Sequence, residues 1–169
     1  MTVQLRENAA QIVRHARPVG GTAMLRGGLT RGTIVLTARG ETPVEDLRPG
    51  DRIVTRERGI AVLRAIGRTT GPACSVRTDS LGLARPDRDV VVAADQHVAV
   101  RDWRAEALFE AEAALVPADR LVDGRHIARR GEAALYQLDL GAPLTIYANG
   151  LEVPTGRTED GILEIEDAS

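Results

Sequence analysis

Lysine is absent from this sequence, and all 22 of its basic residues are arginines. Acidic residues number 24, so the formal net charge is −2. A general nucleic-acid-binding protein carries a basic surface, and this charge balance therefore disfavours that class. We interpret the exclusive use of arginine as the codon bias of a GC-rich genome.

Cysteine and long apolar runs are scarce as well. Cys74 is the single cysteine, which excludes an internal disulfide. No apolar run approaches the roughly 18 residues of a membrane-spanning helix, and residues 1–18 lack the apolar core of a signal peptide. The sequence predicts no membrane contact and a reducing, cytoplasmic setting, while export through a C-terminal signal stays open.

The distribution of charge divides the chain into a middle and two ends. Residues 1–31 carry five arginines and one glutamate, whereas residues 157–169 carry five acidic residues and one arginine. With 43% hydrophobic residues in a chain of 169, we expect one core. The predicted parts are an N-terminal helix and tail (1–25), a domain (26–156) and an acidic, solvated C-terminal tail (157–169). We expect residues 1–20 and 157–169 to be dispensable for the core.

Within the first part, residues 3–16 have the spacing of a short helix. Its apolar residues fall on one face, and Pro18 ends the pattern. Two interpretations stay open: the helix packs on its own domain or frays, or it docks on a partner.

The middle of the chain has the pattern of an all-β protein. Short β-branched segments alternate with glycine and proline, which is typical of a sandwich or barrel. The predicted strands are Thr33–Thr37, Arg52–Thr55, Ile60–Ile66, Val90–Ala93, Val98–Val100, Tyr136–Leu140 and Leu144–Tyr147. One internal helix is predicted, over Trp103–Ala114.

Four ordered motifs stand out along the predicted domain. The first runs Gly32-Thr33-Ile34-Val35-Leu36-Thr37 and, after a short gap, Pro43-Val44-Glu45-Asp46-Leu47-Arg48-Pro49-Gly50-Asp51. By itself it is a hairpin-like unit with a Pro-Gly turn. The others are an apolar strand ending at His97, the run Leu115-Val116-Pro117-Ala118 to Gly124, and Tyr147-Ala148-Asn149-Gly150.

In this order the motifs resemble those of the Hint domain family, the fold of inteins and of the C-terminal part of Hedgehog proteins. The resemblance covers about Arg26 to Pro154. It implies an all-β, disc-like fold of short, strongly twisted strands whose N- and C-terminal parts meet at a central cleft.

The resemblance also implies a chemistry, which is self-cleavage or splicing. In the family, a cysteine thiol attacks the carbonyl of the preceding residue and converts an amide into a thioester. A Ser/Thr-x-x-His element polarises that amide, and its histidine protonates the leaving nitrogen.

This sequence departs from the family pattern at the chemical positions. The nucleophile position is Gly28, the Ser/Thr position is Ala94, and the late histidine corresponds to Pro143. His97 alone is retained, either as a relic or residual catalytic group or as a structural residue. Cys74 enters an apparent strand, and we expect it to be a small buried hydrophobe.

No cofactor or metal site is predicted. His15, His97 and His126 are too scattered to share an ion, and Gly27-Gly28 is too short for a phosphate-binding loop.

The sequence therefore predicts a Hint-type domain that has lost autoprocessing and acts as a binding or structural module. Its partner would be another protein or its own flanking peptide, and the oligomeric state stays open. Two alternatives remain: residual peptide-bond cleavage through His97, and a role as accessory or passenger of a bacterial secretion system addressed by the acidic tail.

Overall fold

The computed structural model describes residues 27–156 and 161–165. Within them the chain is built almost wholly from β-strands. In chain order these are β1 (Ile34–Thr37), β2 (Gly40–Pro43), β3 (Arg52–Thr55), β4 (Gly59–Val62), β5 (Ala65–Val76), β6 (Val90–Ala93), β7 (His97–Val100), β8 (Ala114–Pro117), β9 (Ile127–Asp139), β10 (Thr145–Ala148), β11 (Leu151–Pro154) and β12 (Leu163–Glu164). One α-helix, α1 (Trp103–Phe109), and two 3₁₀ turns, Val44–Asp46 and Ala118–Leu121, complete the described elements. The predicted all-β class is confirmed.

The strands form three antiparallel sheets. The largest has the order β11-β10-β1-β3-β4, with β2 paired to β1. The second has the order β12-β8-β7 and the third β6-β5-β9. Strands distant in sequence therefore lie side by side, and the largest sheet joins the opening motif to the closing one through the pair Val35–Ala148.

The longest elements, β5 and β9, form a two-stranded ribbon that pairs along the whole of β5. Its register shifts between Pro72 and Ala73. Proline has no N–H to donate to a ladder and is tolerated at such irregularities. The shift coincides with the point where β6 begins to pair, at Ala73 opposite Ala93.

A single large cluster of buried side chains fills the space between the sheets, and it includes Val35, Ile53, Val92, Ile127 and Ile146. Successive side chains of a strand point to opposite faces of the sheet. In β1, Val35 and Thr37 are therefore buried, while Leu36 between them is exposed. Each large aliphatic side chain that is buried stabilises the folded state by about 1.5–3 kcal/mol, and this burial is the main stabilising contribution here.

Several predicted boundaries are wrong. The predicted strand Ile60–Ile66 is two strands, because Leu63 between them is buried and exchanges backbone hydrogen bonds with Gly50 and Asp51. Tyr136–Leu140 is only the last part of β9. The strands β2, β8, β11 and β12 were not predicted.

The predicted helix Trp103–Ala114 is too long. Asp102 caps its start by accepting a hydrogen bond from the N–H of Arg104. At the other end Glu110 has a left-handed conformation (φ 51°), which ends the helix, and Ala114 already begins β8. The predicted helix over residues 3–16 lies outside the described residues.

The predicted C-terminal tail contains a strand. Leu163 is completely buried and pairs with Leu115 of β8. This part of the tail therefore packs against the domain, contrary to the expectation of a solvated segment.

Candidate functional site

Gly28 lies in a cleft between the ribbon and the largest sheet. The chain reaches it just before Leu29, which bridges Val92 of β6 and Tyr136 of β9. The cleft is small, with room for roughly one water molecule, and it is lined by Gly28, Leu29, Gln96, Tyr136, Gln137, Leu138, Ile146, Val153, Thr155 and Gly156. Apart from the Tyr136 phenol, these side chains carry no ionisable group, so the lining is uncharged and more apolar than polar.

The backbone of Gly28 is held on both sides. Its N–H donates to Oε1 of Gln96 at 2.9 Å, and its carbonyl accepts from the N–H of Ala93 at 3.0 Å. Its φ of 143° lies in a region that residues with a side chain rarely adopt. A Cβ at this position would lie 2.9 Å from Cβ of Leu135.

Two glutamines of the cleft were not predicted from the sequence. Gln96 is 95% buried, and its Nε2 donates to the carbonyls of His97 and Pro154 at 2.9 and 3.0 Å. Gln137 donates from Nε2 to the carbonyl of Gly27 at 3.0 Å. The only available signals were that Gln96 adjoins His97 and that Gln137 lies within the predicted strand Tyr136–Leu140.

His97 is the first residue of β7 and is buried. Its Nε2 lies 2.8 Å from the carbonyl oxygen of Gly161. Because a carbonyl only accepts, Nε2 carries the proton in this contact. The imidazole thus joins β7 to the C-terminal segment that continues into β12.

Ala94 and Pro143 occupy different surroundings. Ala94 is half-buried in the turn between β6 and β7, and its N–H and carbonyl bond to Pro72 and Asp119. Its methyl group can neither donate nor accept a hydrogen bond. Pro143 is exposed in the turn before β10. The structure brings Gly28 into contact with Gln96, while Pro143 does not line this cleft.

Cys74 lies on β5, opposite Val92 and Arg129, and is completely buried. Burial raises the pKa of its thiol, as does the charge of Asp119, against a smaller lowering by Arg129. The thiol is therefore protonated at neutral pH, which removes its nucleophilic form.

Metal ligands and membrane spans can be judged only for residues 27–156 and 161–165. In these ranges no three histidine, cysteine or acidic side chains come together as a metal site. No helix there has the length and apolar character needed to span a bilayer.

Comparison with known proteins gives one family and one fold. A family model described as a Hint domain matches residues 28–158, while no curated protein matches the sequence. A DnaB intein from Synechocystis sp. PCC 6803 is similar in structure, with a TM-score of 0.53 and 14% identity over 77% of this chain and 99% of its own.

Two further structures are similar. The Msm DnaB1 intein splicing domain, bound with zinc, has a TM-score of 0.51 and 18% identity over 75% of this chain and 98% of its own. A bacterial intein-like domain from Clostridium thermocellum has a TM-score of 0.51 and 14% identity over 76% and 96%. At these identities the structures establish the fold alone, and the family model covers most of the sequence. The chain belongs to the Hint domain family.

Proposed function

We propose that this Hint domain does not process its own chain and that it serves as a binding or structural module. The observation that carries the proposal is Gly28, which lies in the cleft without a side chain. The family match begins at this residue, which supports placing the family's nucleophile position here. A covalent mechanism without an attacking group has no first step.

The surroundings of Gly28 support the same conclusion. At the predicted Ser/Thr position, Ala94 supplies only a methyl group. Cys74 is no replacement, because its thiol is buried in β5 and its pKa is raised.

Mass spectrometry of the intact chain tests the proposal. After native expression and incubation with dithiothreitol or hydroxylamine, which trap thioesters, we expect a single species at the full-length mass. A nucleophile-dependent fragment beginning near Gly28 would overturn the proposal. It would instead favour residual cleavage by a route that uses His97.

Gly28→Cys is the complementary test, with Gly28→Ala as a matched control of similar strain without a thiol. We expect neither variant to be cleaved, because Ala94 and Pro143 are unchanged and position 28 has no room for a Cβ. Thiol-dependent cleavage of Gly28→Cys alone would show that the rest of the site is still competent.

The partner we propose is a peptide or protein, including the flanking peptide of the chain itself, and neither nucleic acid nor membrane. The net charge of −2 and the uncharged cleft support this choice. We propose a cytoplasmic setting, consistent with a single buried thiol. Export addressed by the acidic C-terminal residues is less well supported, because Leu163 among them is buried against β8.

A further inference from the structure

One peptide bond in the cleft is held at both of its polar groups. The N–H of Gly28 donates to Oε1 of Gln96 at 2.9 Å, and the carbonyl of Gly27 accepts from Nε2 of Gln137 at 3.0 Å. These two groups belong to the same peptide unit, and each is held by a different glutamine. Gln96 adjoins the start of β7 and Gln137 lies on β9, so the pair joins two sheets across the cleft.

The orientation of the Gln96 amide is fixed by its other partners. Its Nε2 donates to the carbonyls of His97 and Pro154. Because carbonyls only accept, the nitrogen must face them, and the oxygen must face the Gly28 N–H. Gln96 is also buried, so its acceptor is preorganised for a peptide N–H.

Neighbouring side chains crowd the Cβ position of both residues of the peptide unit, Gln96 at Gly27 and Leu135 at Gly28. A Cβ on Gly27 would overlap Oε1 of Gln96, and φ there is 80°. A Cβ on Gly28 would press on Cβ of Leu135 at 2.9 Å, and φ there is 143°. The crowded Cβ positions and the positive φ values therefore select glycine at both residues, whereas the two hydrogen bonds hold the backbone of the peptide unit.

We propose that Gln96 and Gln137 are specificity-determining residues of a seat for one Gly-Gly peptide unit, and that its ligand is the uncut Gly27–Gly28 segment of the same chain. This inference rests on the proposed function, since it needs the chain to remain intact at Gly28. The glutamines then hold the chain's own backbone in the wall of the cleft.

Amide hydrogen exchange of Gly28, followed by NMR on the full chain, tests the seat. In Gln137→Glu at neutral pH the carboxylate cannot donate to the Gly27 carbonyl. Loss of one hydrogen bond of this kind is expected to lower the protection factor of Gly28 about 2- to 10-fold. Ala134→Glu is the matched control, because it adds the same charge at an exposed position of β9.

Acidification distinguishes a hydrogen-bond donor from simple packing. Below a pKa of about 4.3 a glutamic acid is protonated and can donate again. Normalised to the intrinsic exchange rate, protection of Gly28 in Gln137→Glu is expected to return toward the wild-type value. Protection that stays low in acid, or that at neutral pH equals the Ala134→Glu value, would overturn the proposal.

A second variant covers the case in which Gln137→Glu fails to fold. Gln137→Met has a similar volume and no donor, so it is expected to lose protection at every pH. The intact mass of the same samples separates the two proposals. Cleavage at Gly28 would overturn the proposed function, whereas an intact wild-type chain with an unprotected Gly28 amide would overturn the seat alone.

Discussion

At the scale of single residues, two glycines that both have a positive φ lie in very different surroundings. Gly28 has a φ of 143° and a tightly packed neighbour, Leu135. Gly32 has a φ of 90° and nothing within 4 Å of the position of a Cβ. At both positions a side chain would strain the backbone, but only at Gly28 would it also meet a steric contact.

We expect Gly28→Ala to destabilise the protein more than Gly32→Ala. Strain at positive φ costs about 1–3 kcal/mol in either variant. The contact with Leu135 adds to it at position 28 alone, because it involves a Cβ that cannot rotate away. Chemical denaturation of both variants measures the difference, and equal losses would contradict the packing seen in the cleft.

Another single residue, Asp123, links stability to pH. Burial alone would raise the pKa of its carboxyl, but hydrogen bonds from the N–H groups of Ile127, Arg125 and His126 outweigh it and lower the pKa to about 2. A pKa below the ordinary value of 3.8 means that this stabilisation is fully present above pH 3.8. It is lost as the pH falls from there toward 2.

We therefore expect the stability of Asp123→Asn to fall less steeply than that of the wild type as the pH is lowered from 5 to 2. An asparagine oxygen can still accept hydrogen bonds but does not titrate in this range. Thermal melts between pH 5 and pH 2 provide the measurement, with the exposed Asp95→Asn as control. If the wild type and Asp123→Asn lost stability equally as the pH falls from 5 to 2, the contribution of this carboxylate would be contradicted.

At the scale of elements, β12 shows how a short strand can be hidden in an acidic segment. It contains only Leu163 and Glu164, too few residues for a periodicity to be recognised. Its position is set by distant partners: β8 pairs with both residues, and the imidazole of His97 meets the carbonyl of Gly161. The predicted dispensability of residues 157–169 is thus unsupported for residues 161–165.

Truncating the side chain of Leu163 should reproduce most of the effect of removing β12. Leucine-to-alanine changes at fully buried positions cost about 2–5 kcal/mol, and Leu163 has no exposed surface. We expect Leu163→Ala to lower the free energy of unfolding by an amount in this range, and Ile165→Ala, which is only half-buried, to lower it less. Equal effects in denaturant titrations would indicate that β12 does not dock as described.

At the scale of the whole molecule, Asn149 connects three distant regions. It begins the two-residue turn between β10 and β11, where its φ of 47° suits asparagine. Its Oδ1 accepts from the N–H of Ile34 in β1 at 2.7 Å, and its carbonyl accepts from the N–H of Asp87 in the loop before β6. The closing motif is thereby tied to the opening motif.

Replacing Asn149 should weaken this connection in a graded way. Asn149→Ala leaves the N–H of Ile34 without its acceptor and loses the tolerance for positive φ, which together cost about 1–3 kcal/mol. Asn149→Asp keeps an acceptor oxygen and should cost less. Differential scanning calorimetry of both variants is the check, and an equal drop in Tm for the two would contradict the role of Oδ1.

The sequence predicted regular strands well and irregular ones poorly. Arg52–Thr55 and Val90–Ala93 have the predicted bounds, because their β-branched residues are bounded by turns. Gly40–Pro43 was missed, since three of its four residues have low strand propensity and it pairs only because the hairpin returns along β1. The helix was overextended because the alanines after Phe109 continue a helical pattern that Glu110 interrupts.

By itself the sequence determined the all-β class and the family, because these depend on residue types and their order, and it predicted Gly28 as the position of the family's nucleophile. Only the tertiary structure placed Gln96 and Gln137 around the Gly27–Gly28 peptide and buried Leu163 against β8. Such contacts join residues far apart in the chain, and a glutamine has the same local pattern whether it faces solvent or a peptide bond. The packing of the sheets decides between the two.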